Sequence, residues 1–207
     1  MPGPAFPVSV VPPMADPWLV VGLGNPGAQY SGNRHNVGQM VLASLAHRID
    51  ARFKTHKTNS VVAEGRSYPA GPRLILAKPN SFMNLSGGPV AQLLAFYDLE
   101  PDRLIVVHDE LDIPFDTIRI KNRGGAGGHN GIRDIIAATD TGDFTRVRVG
   151  VGRPPGRKAA ADFVLQDFAG AEREVLPNLL DEAADAIQMI AAEGVEAAQL
   201  KFHTAGE

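Results

Sequence analysis

Short apolar runs alternate along this chain with stretches in which apolar residues recur every three or four positions. Trp18–Gly22 and Leu104–His108 are continuous apolar runs of strand length, the pattern of strands buried on both faces. Val61–Arg66 and Arg73–Ala77 are consecutive strand patterns with no helix between them. Thr117–Lys121 and Arg146–Val151 alternate apolar and charged residues, as half-buried strands do. Helical spacing marks Val37–Ile49, Val90–Tyr97, Gly131–Ala138 and a long segment, Ala171–Ala192, that Pro177 is expected to break or bend. The alternation predicts an α/β fold, and the adjacent strands predict a mixed rather than purely parallel sheet.

Residues 1–17 stand outside this pattern. They hold six of the sixteen prolines, a composition that resists both helix and sheet and predicts a flexible N-terminal arm ahead of a domain spanning 18–207. Met14 lies in that arm and is an expected alternative start.

Composition narrows the chemistry. A chain of 207 residues with 44% hydrophobic content can build one sizeable core. There is no cysteine, which removes disulfides, thiolate metal sites and a cysteine nucleophile. No apolar run approaches membrane-spanning length, and the first basic residue is Arg34, so no signal-peptide pattern is present. The net charge of −3 is unevenly spread. Arg119–Lys158 holds nine basic and three acidic residues, whereas Asp162–Glu207 holds two basic and ten acidic. A basic stretch of that kind can bind a polyanion whatever the total charge.

Five segments can carry chemistry. Gly22-Leu23-Gly24-Asn25-Pro26-Gly27 fits a dinucleotide fingerprint with Asp50 downstream, but helical spacing begins only near Asn36, too late to present a helix N-terminus to a pyrophosphate. Asn33–Gly38 places His35 at a loop–helix junction, with Asn36 as the expected N-cap. Lys78–Gly88 offers Phe82, Met83 and the neutral amide of Asn84 between a strand and a helix. Asp109 follows an apolar strand, where α/β proteins gather site residues. His108-Asp109-Glu110 lacks zinc-ligand spacing, and strand neighbours point to opposite faces, so no metal is expected. Arg123–Gly131 packs four glycines into five residues and ends at His129 and Asn130, with no P-loop lysine. A histidine, a strand-end aspartate and asparagines on separate loops suit a His–Asp-activated water, with neutral amides holding a carbonyl and its developing oxyanion.

Taken together, GLGNPGAQY (22–30), NRHNVG (33–38), KPNSFMNLSG (78–87), HDELDIP (108–114), GGAGGHNGIRDII (124–136) and RVRVGVGRPPG (146–156) resemble the bacterial peptidyl-tRNA hydrolases. The resemblance implies a single domain with a mixed, twisted sheet flanked by helices, a cytoplasmic, metal-free, cofactor-free monomer, and cleavage of the ester between a peptide and the tRNA 3′-terminal ribose. By motif position it implies His35 as general base, Asp109 as its orienting carboxylate and Asn25 as the group that tells blocked from free aminoacyl ends. Asn84 and Asn130 would position substrate, water or oxyanion. Tyr30 and Phe82 would lie near the tRNA 3′ end or the peptide. Arg119, Lys121 and Arg133 would meet tRNA phosphates; should charge reversal at Arg119 or Lys121 leave KM and its salt dependence unchanged, the basic face is expected around Arg146–Lys158 instead. The acidic C-terminal segment would cover part of the cleft or the far side. Two alternatives stay open: a catalytically idle tRNA- or ribosome-binding module on the same fold, and a nucleotide-binding oxidoreductase motivated by the first glycine loop alone.

Overall fold

The apolar runs become the middle of a seven-stranded sheet in the order β2-β3-β4-β1-β5-β7-β6. A computed structural model describes residues 17–204 except Lys158, so the arm lies, but for Pro17, outside the described residues. The strands are β1 (Trp18–Gly22), β2 (Lys54–His56), β3 (Ser60–Arg66), β4 (Arg73–Pro79), β5 (Leu104–Glu110), β6 (Ile118–Asn122) and β7 (Thr145–Gly150). β4, β1, β5 and β7 are parallel, while β2, β3 and β6 are antiparallel to their neighbours. The mixed sheet expected from the adjacent strand patterns is therefore present.

Helices α1 (Val37–Arg48), α5 (Gly170–Glu193) and α6 (Val195–Thr204) share one core with residues such as Val20, Leu76 and Val107. Helices α2 (Gly87–Tyr97) and α3 (Asn130–Thr139) share the core of the other face, with Leu19, Ile75 and Val106. A short helix α4 (Ala160–Val164) follows β7. The chain leaves β1 toward one face and β4 toward the other, so a crevice opens beyond the carboxyl ends of β1, β4 and β5.

Both sheet edges are protected. β2 is three residues long and its Lys54 and Thr55 are exposed. β6 is covered by α6: the Ile120 N–H donates to His203 Nε2 at 2.9 Å, and Gln199 Nε2 donates to the Ile120 carbonyl at 3.1 Å. Burial lowers the His203 pKa, which suits a neutral ring accepting through Nε2. Among the described residues no helix is long and apolar enough to cross a membrane.

Two expectations need correction. Pro177 does not break the long helix, which runs unbroken through it. The proline is exposed, so the carbonyl it leaves unpaired can meet water. Asp109 does not follow a strand but lies inside β5, because pairing of Asp109 with Val149 and Glu110 with Gly150 extends the ladder.

The start of α1 sits against the sheet backbone. A Cβ on Gly38 would lie 2.2 Å from the Val107 carbonyl oxygen, and one on Gly22 would lie 2.4 Å from that of Gly38. Only glycine allows this approach, which brings the turn before α1 over the ends of β1 and β5. Gly38→Ala is expected to cost at least about 2 kcal/mol, because the obstacle is backbone rather than a flexible side chain. Urea unfolding would check this; a midpoint equal to wild type would show that the helix can retreat freely.

Candidate active site

The first glycine loop is held by an asparagine rather than by a helix N-terminus. Asn36 was expected to cap α1, but its side chain makes no capping bond. Its Oδ1 instead accepts from the Asn25 N–H at 2.9 Å, and its Nδ2 donates to the Asn25 carbonyl at 2.9 Å. The Asn25 side chain is fixed in turn, its Oδ1 accepting the Met83 N–H at 2.8 Å. That bond uses the amide oxygen and leaves the Asn25 NH2 as a donor facing the cleft.

Asp109 gathers two imidazoles on one oxygen. His35 Nδ1 lies 2.8 Å and His129 Nε2 2.9 Å from Asp109 Oδ1. Burial raises a carboxyl pKa, but the two histidines, through charge and hydrogen bonds, hold Asp109 well below the usual carboxylate range. An ionised carboxylate only accepts, so both ring nitrogens facing it carry the proton. His129 also caps α3, its Nδ1 accepting the Ile132 N–H at a long 3.4 Å, which agrees with an Nε2–H tautomer. His35 is thereby left with Nε2 directed to the cleft and without a partner among the described residues.

His35, Asp109 and His129 each bring one potential metal-ligand atom within 4.8 Å of the others. The arrangement is nevertheless that of a proton-holding network, with two N–H donors converging on a single oxygen. His108 stands behind it, its ring 4.6 Å from that of His129. Its Nδ1–H donates to the Asp109 carbonyl at 2.7 Å. Burial, followed by the nearby His129, pushes its pKa down to about 3.

These groups open into a cleft of about 790 Å³. Asn25, His35, Phe82, Asn84, Asp109 and Asn130 all line it, and Tyr30 meets Phe82 edge-on at 6.5 Å. Asn130 Oδ1 accepts from Arg133 at 2.6 Å, so its free group, like that of Asn25, is a donor. One wall comes from α4, through Ala160, Ala161 and Val164.

Two buried arginines that the sequence did not single out hold the walls. Arg34 donates to the Gln166 and Asp167 carbonyls and pairs with Glu172 at 2.5 Å, with its guanidinium 4.1 Å from the Phe163 ring centre. It clasps the segment after β7 against the His35 turn. Arg146 is 2% exposed. It donates to the carbonyls of Arg123, Gly124 and Gly125, so it supports the second glycine loop from beneath.

Within the Arg146–Lys158 stretch the side chains are used differently, and Arg157 is exposed. Arg146 is unavailable to solvent, Arg148 pairs with Glu110 at 3.6 Å and Arg153 with Asp112 at 2.5 Å, while Lys158 is outside the described residues. Arg119, Lys121 and Arg133 do not line the cleft. Arg119 donates to the carbonyls of Ile118 and Phe202, at the covered β6 edge. Lys121 lies beside Gly124, and Arg133 is exposed on the first turn of α3. The acidic C-terminal segment divides its work: α5 packs on α1 away from the cleft, with Glu172 at its start holding Arg34.

The family model described as peptidyl-tRNA hydrolase matches residues 19–207. The chain belongs to the peptidyl-tRNA hydrolase family. A peptidyl-tRNA hydrolase of Leifsonia xyli is 69% identical over 189 residues, 91% of this chain and 98% of that protein. One from Arthrobacter sp. is 60% identical over 192 residues, 93% of this chain and 99% of that protein. The crystal structure of peptidyl-tRNA hydrolase from Acinetobacter baumannii superposes with a TM-score of 0.83 at 32% identity, covering 91% of this chain and 95% of that one. The first glycine loop accordingly belongs to a hydrolase fold: it continues into a 3₁₀ turn at Ala28–Tyr30, and α1 begins only at Val37.

In this peptidyl-tRNA hydrolase His108 has an energetic consequence that pH reveals. Its pKa is about 3 in the fold against 6.5 when exposed, so the unfolded chain binds one more proton between those values. Stability is therefore lost as pH falls from 6.5 toward 3, with a slope of at most about 1.4 kcal/mol per pH unit from this group. His108→Gln is expected to flatten that part of the curve. Urea midpoints measured across the range would check it, and an unchanged slope would remove His108 as the source.

Proposed function

We propose that this chain hydrolyses the ester joining a peptide, or an N-blocked aminoacyl group, to the 3′-terminal ribose of tRNA, releasing peptide and free tRNA. The observation that carries this reading is His35: Nδ1–H is held on Asp109 and Nε2 is left free beside donor amides in the cleft.

In this reading water attacks the ester carbonyl carbon while His35 Nε2 takes a proton from it. Asp109 stabilises the resulting imidazolium and fixes its orientation, a task shared with no change in its own protonation. The NH2 of Asn25 and the amides of Asn84 and Asn130 donate to the carbonyl oxygen as negative charge develops there. The tetrahedral intermediate then collapses. Its bond to the ribose oxygen breaks, and that oxygen takes the proton from His35 Nε2. No step needs a metal or cofactor.

The orientation of Asn25 supports selection for blocked ends. Its free group is donor-only, and so is an α-ammonium, which would face it unpaired. An N-acyl group supplies a carbonyl acceptor instead. In this reading Tyr30 and Phe82, whose rings meet edge-on, would lie near the tRNA 3′ end or the peptide, and Arg119, Lys121 and Arg133 would add salt-sensitive contacts to acceptor-stem phosphates. We assign the enzyme to the cytoplasm as a monomer.

Hydrolysis of N-blocked beside unblocked aminoacyl-tRNA, with chelator present, tests the reading. Wild type is expected to cleave only the blocked ester. His35→Ala is expected to lower kcat by about 10²–10⁴-fold, as loss of a general base does, with tRNA binding retained. Asp109→Asn should cost less and move the pH–rate profile; an unchanged profile would count against the orienting role of Asp109. Near-normal turnover by His35→Ala, or activity abolished by chelator, would refute the mechanism.

A further inference from the structure

Arg34 is the residue before His35, yet it does not line the cleft. Its side chain runs instead to the segment that follows β7. The guanidinium meets three acceptors there: the Gln166 carbonyl at 3.2 Å, the Asp167 carbonyl at 2.8 Å and Glu172 Oε2 at 2.5 Å. It also lies 4.1 Å from the ring centre of Phe163, in α4, and 5.5 Å from that of Phe168. The flanking chain adds to the join. The Arg34 N–H donates to the Gln166 carbonyl at 3.0 Å, and Asn33 Nδ2 donates to Asp167 Oδ1 at 2.7 Å. Glu172 Oε2 further accepts the Ala169 N–H at 2.6 Å, at the start of α5. The His35 turn, α4 and the start of α5 are thus fastened around one guanidinium.

Stability alone does not account for this arrangement. The pair with Glu172 has side-chain exposures of only 6% and 20%, and a buried ion pair recovers little more than the cost of taking its charges out of water. The Arg34 Nε–H makes no hydrogen bond among the described residues, which is a further cost. What the arginine supplies is geometry, a rigid planar fork that reaches several acceptors at fixed angles, as no lysine or apolar side chain can. The part so fixed is a wall of the site. Phe163 meets the guanidinium, while Ala160, Ala161 and Val164 of the same helix line the cleft that His35 lines. Resting on the function proposed above, we infer that Arg34 is a positioning residue for hydrolysis: it holds α4 at a set distance from His35, so that the cleft has its working width before substrate arrives. Glu172 acts through it. The contacts among His35, Asp109 and His129 do not involve the Arg34 side chain, so loss of the clasp leaves the proton-transfer groups in place. It frees α4, and substrate binding must then restore the order that the clasp provided.

The test is steady-state hydrolysis of N-blocked aminoacyl-tRNA by the full chain, with hydrogen exchange over residues 160–168 as a second readout. Arg34→Met keeps an unbranched stem and removes the fork. It is expected to raise KM by about tenfold or more, the effect of a binding-competent wall populated about a tenth of the time or less. Its kcat should stay within about threefold of wild type, its pH–rate profile should keep its position, and exchange over 160–168 should quicken. Arg34→Lys keeps the charge without the fork and should recover only part of the loss in KM. Glu172→Gln keeps an acceptor for the Ala169 N–H and removes the charge. It should raise KM by less than Arg34→Met does, and adding it to Arg34→Met should change KM no further. A folded Arg34→Met with the wild-type KM would overturn the inference, because a merely structural clasp changes stability alone. So would a fall in kcat with a displaced pH profile, which would place the action of Arg34 on His35 rather than on the wall. If Arg34→Met does not fold, Glu172→Gln decides, and an unchanged KM there overturns the inference. An active wild type with an indifferent Arg34→Met overturns this inference alone, whereas a wild type that cleaves no blocked ester overturns the proposed function and the inference with it.

Discussion

A single carboxylate oxygen, Asp109 Oδ1, organises this molecule. It lies in the middle of the sheet, nearly inaccessible to water, where an ionised group is tolerated only if its hydrogen bonds are made. His35 from the turn before α1 and His129 from the start of α3 supply them. One atom therefore ties together three parts of the chain that enter from β5 and from both faces of the sheet. Because the carboxylate can only accept, it also sets the proton on each ring. His129 is left to cap a helix, and His35 is left with a lone pair toward the cleft. Position and chemistry follow from the same constraint.

The remaining architecture serves to keep that oxygen and its partners in register. Glycines at 22 and 38 let α1 rest on the sheet backbone. Asn36 clamps the loop that carries Asn25, and Met83 fixes which end of the Asn25 amide is presented. Arg34 and Arg146 turn buried positive charge onto backbone carbonyls, so two loops that lack regular structure still have their polar groups satisfied. Cleft donors with their own acceptors already occupied need little reorganisation when charge develops on a substrate oxygen.

Much of this was legible in the sequence because it depends on local pattern. The apolar runs at Trp18–Gly22 and Leu104–His108 read as buried strands, and the consecutive runs at 61–66 and 73–77 pointed to a mixed sheet, as the strand order and pairing bear out. Glycine, asparagine and histidine on separate loops announced a site. What was not legible rests on long-range pairing. β2 and α4 are three and five residues long, too short for a period to register. α6 owes its place to a sheet edge that exists only after folding. Nothing local marks Arg34 and Arg146 as buried, because their carbonyl partners reach them only in the fold. His129 was noted at the end of its glycine loop, yet its bond to a residue twenty positions away gave no local signal. Asn36 satisfied the rule for a helix cap and was drawn instead to a loop eleven residues back.

The measurement closest to the central claim is the tautomeric state of the two histidines, read from ¹⁵N shifts and couplings of ring-labelled protein with the imidazoles neutral. The account requires His35 protonated on Nδ1 with a free Nε2, and His129 protonated on Nε2. A His35 ring carrying its proton on Nε2 would leave no lone pair for water, and it would contradict both the role given to Asp109 and the mechanism built on it.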